Sequence, residues 1–262
     1  MIFETHAHYE DEAFAQDAEE TINKAREAGV TQFVNVGSTM ATSRASLEIA
    51  RSHEDFYAAV GVHPEYGQEL TEEALAELRE MCADKKTIAI GEIGLDYHWD
   101  SCPRDVQAVA FKKQLALAKE LHMPVIIHSR DAAEDTFNIL RDYAKECERD
   151  GVSARGIVHC YGYSAELAAE YIKLGYYIGV GGVLTFKKAR KLVETVEKIG
   201  LDHLVLETDS PYMSPEPLRG RRNDSSNLVY IVKKVSELLN IPVEEVERVT
   251  FENAKKVYLI NG

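Results

Sequence analysis

Short runs of β-branched and aliphatic residues recur along the whole chain. Each is separated from the next by a longer stretch in which apolar residues return every three or four positions. The first pattern reads as a buried strand and the second as an amphipathic helix. Eight strands are predicted: Ile2 to Thr5, Gln32 to Val36, Tyr57 to Val62, Thr87 to Glu92, Val125 to His128, Gly156 to His159, Tyr176 to Val180 and His203 to Glu207. Helices are predicted between them at Ala18 to Ala28, Ser43 to Ala50, Glu72 to Cys82, Arg104 to Leu121, Ala133 to Lys145, Ser164 to Leu174 and Ala189 to Ile199. A last pair, Asn227 to Leu239 and Val243 to Val257, closes the chain. Apolar strands alternating with helices indicate an α/β fold with a parallel sheet covered on its outer face. At 262 residues a closed (β/α)8 TIM barrel is the economical solution, with an open doubly wound sheet as runner-up. The chain shows no internal repeat, low-complexity tract or Pro/Gly/Ser-rich linker, so residues 1–262 read as one domain.

Composition narrows the class. With 45% hydrophobic and 28% charged residues the chain is neither disordered nor fibrous. Its 44 acidic and 30 basic side chains give a net charge of −14, a field that repels phosphate backbones. That argues against a coat protein held to nucleic acid by a basic face, but not against an enzyme that meets a polyanion at one local site. No stretch approaches the roughly 20 apolar residues of a membrane span. The start, Met1-Ile2-Phe3-Glu4, lacks a basic segment followed by an apolar run, so a soluble, cytoplasmic protein is expected. Cys82, Cys102, Cys147 and Cys160 form no CxxC pair and read as reduced thiols.

The candidate chemistry lies at the strand ends. His6-Ala7-His8 closes the first strand, and because residues two apart on a strand share a face, the two imidazoles can grip one metal ion together. Glu92 ends Thr-Ile-Ala-Ile-Gly-Glu, His128 ends Val-Ile-Ile-His, His159 ends Gly-Ile-Val-His, and Asp209 follows Leu-Val-Leu-Glu-Thr. The carboxyl ends of barrel strands are where such folds gather their catalytic groups. An unpaired buried polar group there costs on the order of 1–3 kcal/mol, and a charge costs more, so a metal centre is the natural common partner. One tetrahedral zinc does not require six ligands, whereas two ions sharing a carboxylate use them all. The expected assignment gives His6, His8 and Asp209 to one ion and His128 and His159 to the other, with Glu92 bridging. Such a pair lowers the pKa of a water toward neutrality and polarises the bond it attacks, with Asp209 as general base. Four imidazoles suit zinc, iron or nickel better than magnesium.

Other polar residues are weaker candidates. His63, in Gly61-Val62-His63-Pro64, ends the third strand, where a substrate contact and a loop role compete evenly. His98 follows Glu92 closely enough to face a substrate, whereas His53, His122 and His203 sit at element edges and read as exposed. Tyr97 and Trp99 offer stacking surfaces, but loop aromatics more often pack. Glu207 is two residues before Asp209 and is expected to point into the barrel, with a partner the sequence does not reveal. Basic residues concentrate at Lys187, Lys188, Arg190 and Lys191 after the seventh strand, and at Arg219, Arg221 and Arg222 after the eighth. Loops at these two positions often bind phosphate in barrels, and Arg219 is the better substrate candidate because it follows the expected ligand Asp209.

Six ordered motifs carry a family resemblance: Thr5-His6-Ala7-His8, Gly61-Val62-His63-Pro64, Gly91-Glu92-Ile93-Gly94-Leu95-Asp96-Tyr97, Pro124 to Ala132, Gly182 to Lys187, and Glu207-Thr208-Asp209-Ser210-Pro211-Tyr212. Over nearly its whole length the chain resembles the TatD family of metal-dependent deoxyribonucleases, amidohydrolase-like TIM barrels. The resemblance implies divalent-metal ligands at His6, His8, Glu92, His128, His159 and Asp209. It also implies magnesium, manganese or zinc as cofactor and hydrolysis of DNA phosphodiesters, often as an exonuclease. Three positions depart from the family pattern. Glu4 replaces the usual Asp, Glu65 replaces the second histidine of His-Pro-His, and the family's Arg-Gly-x-x-Asn-Glu-Pro reads here Arg219-Gly220-Arg221-Arg222-Asn223-Asp224-Ser225. The last change bears on the substrate. The competing function is hydrolysis of another ester or amide, such as an aminoacyl-tRNA or a small ester, on the same barrel. A subclass bridged by a carboxylated lysine is disfavoured because the fourth strand contains none. A non-catalytic scaffold fits poorly with an intact ligand set.

Overall fold

Alternate residues of every strand face two different cores, and that alternation builds the molecule. In the computed structural model, which describes residues 1–99 and 101–260, the strands are β1 (Ile2–Ala7), β2 (Val30–Val36), β3 (Phe56–Val60), β4 (Thr87–Asp96), β5 (Val125–Arg130), β6 (Gly156–Val158), β7 (Tyr176–Val180) and β8 (Leu204–Leu206). They pair in parallel in the order β1 to β8. Nine helices are described: α1 (Ala18–Glu27), α2 (Met40–Ser52), α3 (Glu72–Met81), α4 (Arg104–Leu121), α5 (Ala133–Arg149), α6 (Ala165–Lys173), α7 (Arg190–Ile199), α8 (Leu228–Leu239) and α9 (Val243–Tyr258). The predicted (β/α)8 TIM barrel is thus the fold. One buried cluster takes Phe3, Val34, Ala59, Ala89, Ile126, Ile157 and Val205 from the strands together with Val257 and Tyr258 of α9. The other joins the opposite strand face, including Phe33, Ala58, Ile90, Ile127 and Leu204, to the surrounding helices. Helix α9 is anchored at the start of β8, where Asn253 Nδ2 donates to Leu201 O (2.6 Å) and Leu204 O (2.9 Å).

The barrel closes at a seam between β1 and the segment after β8. His8 N donates to Ser210 O (2.8 Å) and Asp209 N to His6 O (3.0 Å). Fully buried Glu4 reinforces the seam by accepting from Thr208 N (2.9 Å) and Thr208 Oγ1 (2.6 Å).

Element boundaries differ from the sequence pattern where tertiary pairing extends a strand past its first polar residue. β4 runs on from Glu92 to Asp96, and Leu95 and Asp96 pair with Ser129 and Arg130 of β5. Gly94 permits this: at φ +149 it lies so close to β5 that a Cβ would meet His128 O at 1.9 Å. β6 and β8 are shorter than expected, at three residues each. α2 begins three residues early because Thr39 and Thr42 form a reciprocal capping box. The four cysteines are free, and no described helix is long and apolar enough to cross a membrane.

Candidate metal centre

All six donors singled out in the sequence reach one cavity or its floor. His6 lies in β1, Glu92 in β4 and His128 in β5, while His8, His159 and Asp209 follow β1, β6 and β8. The cavity, of about 670 Å³, has His8, Glu92, His128, His159 and Asp209 in its wall, with Tyr66, Arg130 and Tyr212 toward its mouth. Its backbone is unusually constrained. Seven described non-glycine residues have positive φ, and four of them, Asp131, Cys160, Asp209 and Met213, line this cavity. Such conformations persist only where surrounding structure enforces them, and they cluster at functional sites.

On one side, His6 Nε2 and His8 Nε2 stand 3.1 Å apart, with Asp209 Oδ1 at 3.9 and 3.4 Å from them. The His8 ring is fixed from behind, its Nδ1 lying 2.7 Å from Val36 O and 3.4 Å from Glu10 Oε1. On the other side, Glu92 Oε1 is 2.8 Å from His128 Nδ1 and 3.7 Å from His159 Nε2, while its second oxygen is 3.7 Å from His6 Nε2. One carboxylate therefore faces both sets of imidazoles. His159 stacks on His6 with centroids 3.6 Å apart, and its Nε2 is also 3.7 Å from Asp209 Oδ1. Glu207 supplies the partner the sequence left open. Its Oε1 accepts from Cys160 N at 2.6 Å and lies 3.1 Å from His159 Nδ1, off the direction of a hydrogen bond.

Ionisation follows from this packing. Burial and the neighbouring His159 hold His6 well below its usual pKa. For His8, burial acts downward, but hydrogen bonds to Asp209 and Glu10 outweigh it and raise the ring. His128 reaches about 9 because Asp96 and Glu92 overcome burial, and His159 reaches about 9 because Glu207 and Glu92 do the same. Burial acts to raise Glu92, but His159 and His128 hold its carboxyl well below the usual range. Burial pushes Glu4 up to about 8, and burial with the neighbouring His128 brings His63 down to about 3.

The donor set fits divalent metal. Ligand atoms about 2.0–2.2 Å from a common ion stand roughly 3–3.5 Å apart, the separation of the two facing Nε2 atoms. Neither nitrogen can satisfy the other unless one carries a proton, whereas a cation satisfies both. Glu10, Glu92, Asp96, Glu207 and Asp209 bring five carboxylates, and their only ion-pair partners among the described residues are imidazoles. A buried anionic cluster without Lys or Arg calls for positive charge from elsewhere. Side-chain donors lie within 4.8 Å of one another in four groups: His6, His8, Asp209; His6, His159, Glu207; His63, Glu92, His128; and His159, Cys160, Asp209.

The other expected contacts divide. His63 lines the cavity, its ring edge-on to His128 at 4.3 Å. Arg219 does not line it; its guanidinium lies over Phe186, 4.4 Å from the ring centroid, in a neighbouring cavity. Arg222 is turned away to Asp17. Tyr97 packs, with its hydroxyl on Asp135 and Arg104 over its ring, but Trp99 stays 51% exposed beside Arg130, contrary to the packing expected of it. His98 sits in the same loop against Asp131. The altered segment after Arg219 is structural. Asn223 Nδ2 donates to Thr208 O and Tyr212 O on either side of Asp209, Asp224 pairs with Lys24, Tyr9 donates to Ser225, and none of these lines the cavity. Glu10 and Asp96 escaped the sequence reading. Each continues an alternation, His6-His8-Glu10 and Glu92-Gly94-Asp96, past the predicted strand end.

A (β/α)8 barrel that gathers imidazoles and carboxylates at the carboxyl ends of its strands defines a metal-dependent hydrolase. The chain matches the family model described as TatD related DNase over residues 3–259 and belongs to that family. It is 42% identical to the metal-dependent hydrolase YabD of Bacillus subtilis over the full length of both chains. It is 33% identical to the 3'-5' ssDNA/RNA exonuclease TatD of Erwinia tasmaniensis, covering 94% of this chain and 95% of that one. Among solved structures, the TatD homologue YjjV of Escherichia coli superposes with a TM-score of 0.91 at 28% identity, covering 99% and 98% of the two chains.

Proposed function

We propose that the protein is a cytoplasmic deoxyribonuclease that removes nucleotides from the ends of single-stranded DNA in the manner of a 3'-5' exonuclease. The observation that carries this reading is the convergence of His6, His8, Glu92, His128, His159 and Asp209 around carboxylates that have no Lys or Arg partner. In the proposed assignment His6, His8 and Asp209 hold one divalent ion, His128 and His159 hold a second, and Glu92 faces both. Divalent ions bound there supply Lewis acidity to a scissile phosphate and acidify water. The residues do the rest. Asp209 accepts a proton from the attacking water as general base, Glu207 backs the His159 ring with negative charge, and Glu10 with Val36 O fixes His8. His63, neutral and at the cavity wall, contacts the nucleotide being released, whereas Arg219, outside that cavity, meets only the strand beyond it. The name of the Erwinia relative supports a single-stranded substrate and extends it to RNA. The four free cysteines accord with a reducing compartment.

The test is a metal-by-substrate panel in which magnesium, manganese and zinc are each offered with DNA, RNA and small esters, against a chelator control. Chelator-sensitive release of mononucleotides is expected. Faster turnover of an uncharged ester or of an aminoacyl-tRNA linkage than of any nucleic acid would replace the nuclease by another hydrolase.

A further inference from the structure

The segment from β7 into the first turn of α7 and the loop after β8 carry six exposed basic side chains: Lys187, Lys188, Arg190, Lys191, Arg219 and Arg221. Elsewhere many cations are paired, as in Lys24–Asp224, Arg26–Asp55, Arg44–Glu77 and Arg222–Asp17. None of the six has a carboxylate oxygen within 4.0 Å among the described residues. In a chain of net charge −14, six unpaired cations on one rim form a local field of opposite sign to that of the whole molecule.

Three of these cations, Lys187, Lys188 and Arg219, border a groove. A cavity of about 510 Å³ is lined by Val183, Phe186, Lys187, Lys188, Glu216 and Arg219, among others. Phe186 holds the Arg219 guanidinium against its ring, which leaves the N–H edge free for two oxygens of one anion. The groove lies three residues along the chain from the metal cavity. Met213 lines the metal cavity and Glu216, three residues on, lines the groove. The two loops are pressed together, since Glu216 N donates to Thr185 Oγ1 at 2.8 Å and a Cβ on Gly182 would meet Met213 O at 2.0 Å. Three cations along the groove, with three more within a few residues of it in the chain, exceed what one phosphate neutralises, so the matching ligand is a repeated anion.

Building on the nuclease reading, we propose that this groove is a strand track: it holds the phosphate backbone of the nucleic acid beyond the nucleotide being released, through Lys187, Lys188 and Arg219. The acidic remainder of the surface repels the strand everywhere else, so the contact is confined to the track.

The test uses metal-loaded protein and nuclease-resistant phosphorothioate thymidine strands, a trinucleotide and one of roughly 20 nucleotides, with binding read by fluorescence anisotropy. The variant Lys187→Gln/Lys188→Gln/Arg219→Gln is expected to bind the long strand about tenfold or more weakly, with a log–log salt slope shallower by about 2 for three lost single-strand phosphate contacts. Its affinity for the trinucleotide is expected to change less than about twofold, as is the long-strand affinity of a control variant, Lys85→Gln/Lys145→Gln/Lys233→Gln, that removes the same charge elsewhere. An unchanged affinity for the long strand, equal losses on both lengths, or wild-type binding no tighter than to polyglutamate overturns the track. Hydrolysis of bis(p-nitrophenyl) phosphate by the wild type is scored separately. Turnover with an unaffected variant removes the track and leaves the nuclease, whereas no turnover of any diester removes the nuclease reading itself.

Discussion

On the β1–β8 side of the cavity, His6 and His8 turn their Nε2 atoms toward each other at 3.1 Å, and the facing atoms have no better partner nearby. On the β4–β5 side, His128 is spanned by carboxylates, with Nδ1 at 2.8 Å from Glu92 and Nε2 at 2.9 Å from Asp96. His6 is buried, whereas the His128 side chain is 19% exposed. The first set is organised around a point between its donors. The second is organised around hydrogen bonds that must be exchanged before a cation is held. Preorganised donors bind with less reorganisation, so the two proposed sites should differ in affinity, with the tighter at His6, His8 and Asp209.

The change expected to cost most is Asp209→Asn, which removes a donor of the tight set and the proposed base together. Steady-state rates should fall about 100-fold or more while metal is partly retained, and a near-wild-type rate would take Asp209 out of the mechanism. Graded chelation followed by metal analysis should show one equivalent leaving before the other, and simultaneous loss would erase the asymmetry. Glu92→Gln should lower occupancy of both ions and His159→Ala mainly of one, so equal losses in the two variants would contradict a bridging Glu92. Asn223→Ala leaves Thr208 O and Tyr212 O without their donor around the Asp209 turn, and denaturant unfolding should register about 1–3 kcal/mol. The smallest effect is optical. Trp99 is the chain's one tryptophan and stands exposed beside Arg130, so its fluorescence should change when a single strand occupies the mouth. No change on saturation would exclude that rim from the contact.

The barrel and the six proposed donors were legible because each donor interrupts an apolar run, and strand ends of this kind converge in a barrel wherever the loops go. Glu10 and Asp96 were not legible, because reading a strand to its first polar residue discards what lies beyond. The continuation of β4 depends on Gly94 meeting β5, a contact distant in sequence. The place of Arg219 depends on how the loops after β7 and β8 lean together, which no periodicity records. Trp99 shows the same limit from the other side, since the exposure of a loop aromatic is decided by neighbours rather than by pattern.

The seam between β1 and the turn after β8 gives the site an order in time. His6, His8, Glu92, His128 and His159 are synthesised long before Asp209, and the hydrogen bonds that seat His6 and His8 against the barrel come from Asp209 N and Ser210 O. Glu4 likewise waits for Thr208, and Thr5 O for the hydroxyl of Tyr258 on the last helix. A nascent chain emerging N-terminus first therefore carries most of the proposed donors without the closure that aligns them. On the proposed assignment, hydrolytic competence arrives only once Asp209 and α9 have been made, so a chain cut short before them is expected to be inert.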